Sequence, residues 1–431
     1  MEVPRREAIK VTIAAVLGTL IEFYDLFISG IAAAIAWPQL FFPQANAAVA
    51  AAASMSAFAV AFLARPLGAF IFGHFGDRLG RKTTMIWTLT LMGIGLLGVA
   101  LTPTYATIGV LAPTSVIVFR ILQGIGVGGE YGGAASWIAE VTAKSKWRTF
   151  WTSFVQADAV GGFLLSFLAF TVAGWYMSNA DLVSYGWRII FISGAVAIVI
   201  AGIIRVRLSE SPLFQVLKQK KAVAKVPSIE VIRRNWKLLI LLGVMTVPTN
   251  GVGNIVISPF SVQYLGALKV DTVAVTAYVT IASLISVAVH IAGGVLASMT
   301  GKKRLLLVLG NLWYIIWIFP YFYLLGTKSL PLIFMAVALL YAVPRPGAAC
   351  IPAVLTESFE TKYRISGAGL AYQTGSLIVG IIISAVVPAF IAFGGGPIGA
   401  VPYVAASYLI ASVAAMIVAA FYVKDIRELS V

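Results

Sequence analysis

Apolar runs of about 20 residues recur from one end of this chain to the other, and each is long enough to cross a ~30 Å hydrocarbon layer. Twelve can be placed: 10–36, 49–73, 83–102, 113–141, 149–175 and 188–208, then 237–262, 272–298, 304–325, 329–356, 366–392 and 400–423. Lipid offers a backbone no hydrogen bonds, so each run must satisfy its own amides as an α-helix. The expectation is an all-α integral membrane protein with twelve transmembrane helices. Composition agrees: 60% of the residues are hydrophobic and 11% are charged, against about a quarter charged in a soluble domain. The first run is too long and too acidic for a cleaved leader, so it reads as a mature helix. The single cysteine, Cys350, excludes a disulfide framework and a multi-Cys metal site. No metal or cofactor is expected.

The net charge of +15 invites a nucleic-acid reading until the charges are placed. Twenty-five of the 31 basic residues fall in alternate loops or at the tails, and the intervening loops hold only Arg188, Lys269 and Lys328. That asymmetry orients a membrane protein, with both termini in the cytoplasm of a cell bounded by its plasma membrane. The charge leaves no nucleic-acid footprint. The partners expected are the lipid bilayer and a small molecule, and the protein is expected to be a monomer.

The polar, basic stretch 209–236 interrupts the spans and reads as a cytoplasmic linker between six-helix bundles at 1–208 and 237–431. The halves repeat one another weakly. GGAASWIAEVTAKSKWR (132–148) is answered by GAACIPAVLTESFETKYR (347–364), and GHFGDRLGRK (73–82) by the eroded GGVLASMTGKKR (293–304). A duplicated helical unit is a transporter architecture, with the substrate site near the bilayer midplane between the halves.

The motifs are more specific than the architecture. GHFGDRLGRK resembles the helix 2–3 loop signature of the major facilitator superfamily. FLARPLGAFIFGHFGDRLGRK (62–82), RILQGIGVGGEYGGA (120–134), GWRIIF (186–191) and ESPLF (210–214) together resemble its metabolite:H+ symporter branch. That resemblance implies two pseudo-symmetric six-helix halves. It also implies a carboxylate substrate such as 2-oxoglutarate, citrate, shikimate or an aromatic acid, or a zwitterion such as proline or betaine. The same resemblance implies that Asp77, Arg81, Glu140 and Arg148 form a charge network closing the cytoplasmic face.

Several ionisable residues stand inside the spans. At 1.5 Å rise per residue, Arg65, Arg345 and His290 each lie about 18 Å from the cytoplasmic loop that follows them, with Asp158 at about 15 Å and Asp25 at about 22 Å. A charge at a helix centre costs at least ~2.5–3.5 kcal/mol, so such residues face a cavity or a partner. Asp25 on the first helix and Arg120 on the fourth are the expected proton-coupling pair. A carboxylate beside an arginine keeps its charge, and one stranded in a dry site takes a proton. Proton-linked sugar porters carry an Asp and an Arg at similar positions. Glu22, one turn from Asp25 on the same face, is read as a relay or second protonation site, and Asp158 as an extension of the proton path.

Arg65, in ARPLG, matches the branch's helix-2 arginine, which the resemblance implies holds the substrate carboxylate; its planar fork suits that contact. Arg345, in VPRPG, is a second clamp from the other half, where Pro344 and Pro346 break the helix. TVPTNGVGNIVISP (246–259) reads as a discontinuous helix offering Asn250 and Asn254 to a cavity. Tyr24, Gln156, Tyr372 and Gln373 complete the candidate substrate contacts, and His290 reads as a hydrogen-bonded helix contact. The string GIGVGG, at 124–129, imitates a dinucleotide loop, but no strand precedes it, so it reads as close helix packing. No nucleophile triad or Walker loop is present, so the chain is not read as an enzyme. The expected function is secondary active, proton-coupled symport of a small organic acid or other carboxylate-bearing metabolite by alternating access. A sugar or polyol symporter is the alternative, followed by an efflux antiporter or a non-transporting sensor.

Overall fold

The structure is a computed structural model and describes residues 5–45, 47–207, 210–219, 226–252, 256–257, 260–270 and 272–425; some side chains within those ranges, that of Asp158 among them, lie outside the description. Its first six long helices are α1 (Arg5–Ile35), α2 (Ala47–Leu79), α3 (Arg81–Leu101), α4 (Leu111–Val141), α5 (Arg148–Tyr176) and α6 (Trp187–Val206). The last six are α7 (Pro227–Gly251), α8 (Thr272–Thr300), α9 (Lys303–Gly326), α10 (Leu330–Glu357), α11 (Arg364–Ile381) and α12 (Pro397–Tyr422). Among the described residues, ten helical segments are long and apolar enough to cross a membrane. The other two are α7, which opens on a basic stretch containing Arg233, Arg234 and Lys237, and α11, which runs into a π-turn at Ile382–Val386. Ile94, Leu101, Ile200, Ile316, Phe319 and Ile410 are exposed while Arg120, Glu130 and Arg205 are buried. A greasy exterior around a polar interior is what a bilayer selects as solvent.

One boundary differs from the sequence reading, and one expected break is present. Helix α7 starts at Pro227 and bends at Asn235, where φ is −127°, so much of the expected linker is helical. Within the rest of that linker, a short helix at Pro212–Gln219 sets the Phe214 ring 4.7 Å from the Arg81 guanidinium. The basic segment therefore packs on the bundle. Helix α10 is in three pieces, Leu330–Ala342, Arg345–Ala348 and Ile351–Glu357, with Pro346 and Pro352 in the first turn of the second and third. Proline has no amide hydrogen to donate there and restarts each piece.

The glycine string in α4 sets the site's geometry. A Cβ on Gly124 would overlap the Ala61 carbonyl, and one on Gly128 would overlap the Arg65 carbonyl. Only hydrogen at those positions lets the α2 and α4 backbones meet, so Arg65 and Arg120 approach α1 from adjoining helices. Gly80, between α2 and α3, has φ +124°, a region open to glycine and strained for other residues.

Candidate functional site

Glu22 and Asp25 are one turn apart on α1 and are 2% and 3% exposed. Each faces an arginine. Arg65 Nη1 is 3.8 Å from Glu22 Oε1, and Arg120 Nη1 is 4.0 Å from Asp25 Oδ2. The expected pairing of Asp25 with Arg120 is present. The pairing of Glu22 with Arg65 was not anticipated; the sequence reading gave one to the proton and the other to the substrate.

The Asp25–Arg120 pair is held mainly through intermediaries. Gln123 Nε2 donates to Asp25 Oδ1 at 2.6 Å, and Ser29 Oγ donates to the same oxygen at 3.3 Å. Arg120 Nη1 donates to Ser29 Oγ (3.0 Å) and Gln123 Oε1 (2.8 Å), while Nη2 donates to the Phe58 carbonyl (3.2 Å). The carboxylate and the guanidinium thus share two neutral bridges, so Asp25 can take up a proton while Arg120 keeps hydrogen-bond partners. A direct bidentate pair would lack that property. Three atoms here have no hydrogen-bond partner among the described residues: Glu22 Oε2, Arg65 Nε and Arg120 Nε. These atoms leave the two pairs with hydrogen-bonding capacity that a further partner could use.

The basic end of the bundle is built differently. Arg81 donates to both oxygens of Glu140, Nε at 2.9 Å and Nη2 at 2.7 Å, and also to the Gly76 and Thr361 carbonyls. Arg364 Nη1 donates to Glu140 at 3.1 Å, and Ser211 donates to the same carboxylate. Asp77 accepts from the backbone amides of Ile365 (3.1 Å) and Ser366 (2.8 Å), at the start of α11, where the helix dipole favours an anion. Arg148 and Lys303 both donate to Glu357, at 2.7 Å and 2.5 Å. Asp77, Arg81 and Glu140 therefore form one inter-half cluster with Thr361 and Arg364, and Arg148 forms a second with Glu357 and Lys303. Glu140→Gln removes the carboxylate shared by two buried guanidiniums and leaves Arg81, among the described residues, only the ion pair with Asp77 at 3.6 Å, a loss of ~3–5 kcal/mol to this closed arrangement. Spin labels at positions 144 and 362 are expected to show longer distances in that variant. An unchanged distribution would mean that the network does not hold the halves together.

The remaining candidates divide between the halves. Tyr131 of α4 and Tyr372 of α11 stack at 3.4 Å with 4° between ring planes. Tyr131 donates to Gln156 Oε1 (3.3 Å) and Tyr372 to Asn250 Oδ1 (3.2 Å). Gln373 Nε2 donates to the Gly128 carbonyl at 3.5 Å, also across the halves. This cross-half platform lies within electrostatic reach of Glu22. Arg345 sits in the C-terminal half, where Nε donates to Ser286 Oγ (2.7 Å) and its guanidinium lies 3.9 Å from the Tyr341 ring. His290 Nε2 meets the Ser153 carbonyl at 3.1 Å. Tyr24 is directed away from the pairs: its hydroxyl meets Ser193 Oγ at 3.0 Å, and it lines an apolar groove of about 700 Å³ between α1, α5 and α6. Its polar end is bonded to α6, at Ser193 Oγ and the Ile190 carbonyl. Asn254 and the Asp158 side chain lie outside the described residues.

Sequence reasoning missed one constellation. Glu130 of α4 and Arg205 of α6 form a fully buried pair, joined by Thr88, whose hydroxyl donates to Glu130 Oε2 at 2.7 Å. Arg205 also donates to the Met85 carbonyl (2.9 Å) and the Ala14 carbonyl (3.2 Å). A Cβ on Gly18 would overlap this pair. Counted with the loop charges, Arg205 in fact continues the buried stripe of Gly194, Ile198 and Ala201, a 3.6-residue signal present in the sequence.

The sugar (and other) transporter family matches residues 10–233. The chain belongs to this family of the major facilitator superfamily. The inner membrane metabolite transport protein YhjE of Escherichia coli strain K12 is 33% identical over 377 residues, covering 86% of this chain and 84% of that protein. The shikimate transporter of the same strain is 31% identical over 407 residues, covering 93% and 92%. Among solved structures, the proton:xylose symporter XylE bound to 6-bromo-6-deoxy-D-glucose superposes with a TM-score of 0.75 at 20% identity, covering 96% of this chain and 95% of that one. The match to XylE bears out the expected twelve-helix fold. This family member is accordingly a multi-pass membrane transporter of small metabolites and not an enzyme.

Proposed function

We propose that this transporter carries a small organic acid into the cell together with protons, by alternating access. The observation that supports this most is the pair of acid–arginine contacts in the water-excluded interior. Asp25 is the coupling acid and Arg120 its switchable partner. With Asp25 ionised, Arg120 and the Ser29 and Gln123 bridges hold α1 to α4; with Asp25 protonated, the charge attraction is gone and α1 is released to move. Arg65, whose Nε has no hydrogen-bond partner among the described residues, takes the substrate carboxylate. The Tyr131–Tyr372 stack and Gln373 form the floor that must part for inward release, and the Asp77–Arg81–Glu140–Arg148 network is the cytoplasmic gate. In this reading the coupling ion is H+, both termini are cytoplasmic, the membrane is the plasma membrane and the unit is a monomer. No cofactor takes part.

Uptake of labelled shikimate into proteoliposomes under an inward proton gradient tests the proposal; uptake that ignores the gradient would overturn it. Arg65→Lys removes the fork and leaves a single-point contact, a loss of ~1.5–3 kcal/mol for a hydrogen bond to a charged group. Calorimetric affinity for shikimate is expected to fall by about tenfold or more, and equal affinity in the variant would remove Arg65 from the substrate site. A second reading, symport of a sugar or polyol, draws on the family match and on the XylE title. Competition decides between them: xylose displacing labelled shikimate better than carboxylates do would favour it.

A further inference from the structure

We infer that Glu22 is a tethered competitor of the substrate: its carboxylate occupies Arg65 in the empty transporter, and a substrate carboxylate takes that place only as Glu22 accepts a proton. The inference rests on the organic-acid reading above and adds to it a second proton, taken up at binding, at a site distinct from Asp25.

The geometry is that of a contact meant to be exchanged. Glu22 and Arg65 meet through one long contact of 3.8 Å, with Oε2 of the acid and Nε of the arginine both without a hydrogen-bond partner among the described residues and both side chains almost fully buried. The tight pairs of the same protein, Arg81 with Glu140 and Arg148 with Glu357, are multiply bonded at 2.7–3.0 Å. Arg65 is held by the Phe62 ring, 4.5 Å from its guanidinium carbon, a support that leaves its donor edge free to change partners. An incoming carboxylate is chemically the same ligand as Glu22, so the two cannot both be ionised against one guanidinium in a dry site without uncompensated charge.

The charged and titratable groups facing Glu22 favour this. Asp25 on α1 and Glu130 on α4 add negative charge, Arg65 on α2 is the cation, and Tyr131 of α4 and Tyr372 of α11 are neutral hydroxyls. Arg120 is engaged with Asp25, and Arg205 with Glu130. When substrate holds Arg65, Glu22 therefore has no cation of its own. The step balances: a substrate carboxylate, the Glu22–Arg65 pair and one proton from water give the substrate–Arg65 pair and neutral Glu22. The only covalent change is the transfer of that proton: an O–H bond of hydronium or of a buffer acid breaks as the one on Glu22 forms.

Shikimate binding to the whole protein in detergent, measured by calorimetry between pH 5 and 9, tests the exchange. In the wild type, affinity is expected to weaken with rising pH, by up to about tenfold per pH unit for one linked proton, with one proton absorbed from a weakly buffered solution at saturation. Glu22→Gln should bind at least about tenfold more tightly than wild type at the alkaline end, with a flat profile and no proton absorbed. Glu22→Asp, which keeps the acid, should keep the slope. If Glu22→Gln retains the wild-type slope and proton count, the exchange is wrong while the carboxylate reading stands. If neither shikimate nor 2-oxoglutarate binds the wild type at any pH, the organic-acid reading falls and the exchange falls with it. Misfolding of Glu22→Gln is separated by its melting curve, and Glu22→Asp then decides by whether the slope and proton uptake persist.

Discussion

Glu130→Ala is expected to be the most destabilising single substitution in the N-terminal half. The change strands Arg205 as a buried, unpaired cation, at a cost of ~3–5 kcal/mol, a large part of a typical protein's whole stability. The pair and its hydrogen bonds join α1 through Ala14, α3 through Thr88 and Met85, and α4 to α6. Among the described residues, no hydrogen bond joins this network to the Asp25–Arg120 bridges, so the loss should be one of folding and not of coupling. Thermal unfolding in detergent should show a large drop in melting temperature for Glu130→Ala and a smaller one for Glu130→Gln, which keeps acceptor and donor capacity. The double change Glu130→Leu with Arg205→Met removes both charges and should recover most of the loss, because an apolar pair of similar volume has no desolvation to repay. A Glu130→Ala protein as stable as wild type would show that Arg205 finds another partner or reaches water.

That pair also marks where the sequence was legible and where it was not. The twelve spans follow from run length, and the breaks in α10 follow from Pro344, Pro346 and Pro352, because lipid thickness and proline chemistry act locally. The glycine string of α4 was legible as packing for the same reason. Partnership across helices is not local. Glu22 and Arg65 meet because α1 and α2 are rotated about their own axes in a way that no single segment encodes. Both helices are apolar around most of their circumference, so no polar face fixes that rotation in advance. Arg205 carried a usable signal, its place on a buried stripe, which its position beside Arg207 at the end of a span concealed. The start of α7 at Pro227 was hidden because the basic residues there suppress the apolar signal, and the packing of Phe214 against Arg81 is likewise not local.

Asp25→Asn is expected to separate transport from energisation. Asparagine keeps the side-chain oxygen that accepts from Gln123 and Ser29, and Arg120 keeps Ser29, Gln123 and the Phe58 carbonyl, so the local structure has what it needs to persist. What is lost is a charge that can be switched, since asparagine permanently imitates the protonated acid. Each coupled proton multiplies the attainable accumulation ratio by about ten per pH unit of gradient, 1.36 kcal/mol, and the variant should lose one such factor. It should also lose response to membrane potential, because a monocarboxylate moving with two protons carries one net charge, worth ~2.3 kcal/mol per 100 mV, and with one proton carries none. Counterflow of labelled against unlabelled shikimate needs no net proton movement and should persist. The combination is diagnostic. Loss of accumulation and counterflow together would mean that Asp25 holds the fold, and loss of neither would mean that the proton travels elsewhere. Only accumulation cut by that one factor with counterflow kept identifies the carboxylate whose ionisation links the proton to the movement of α1.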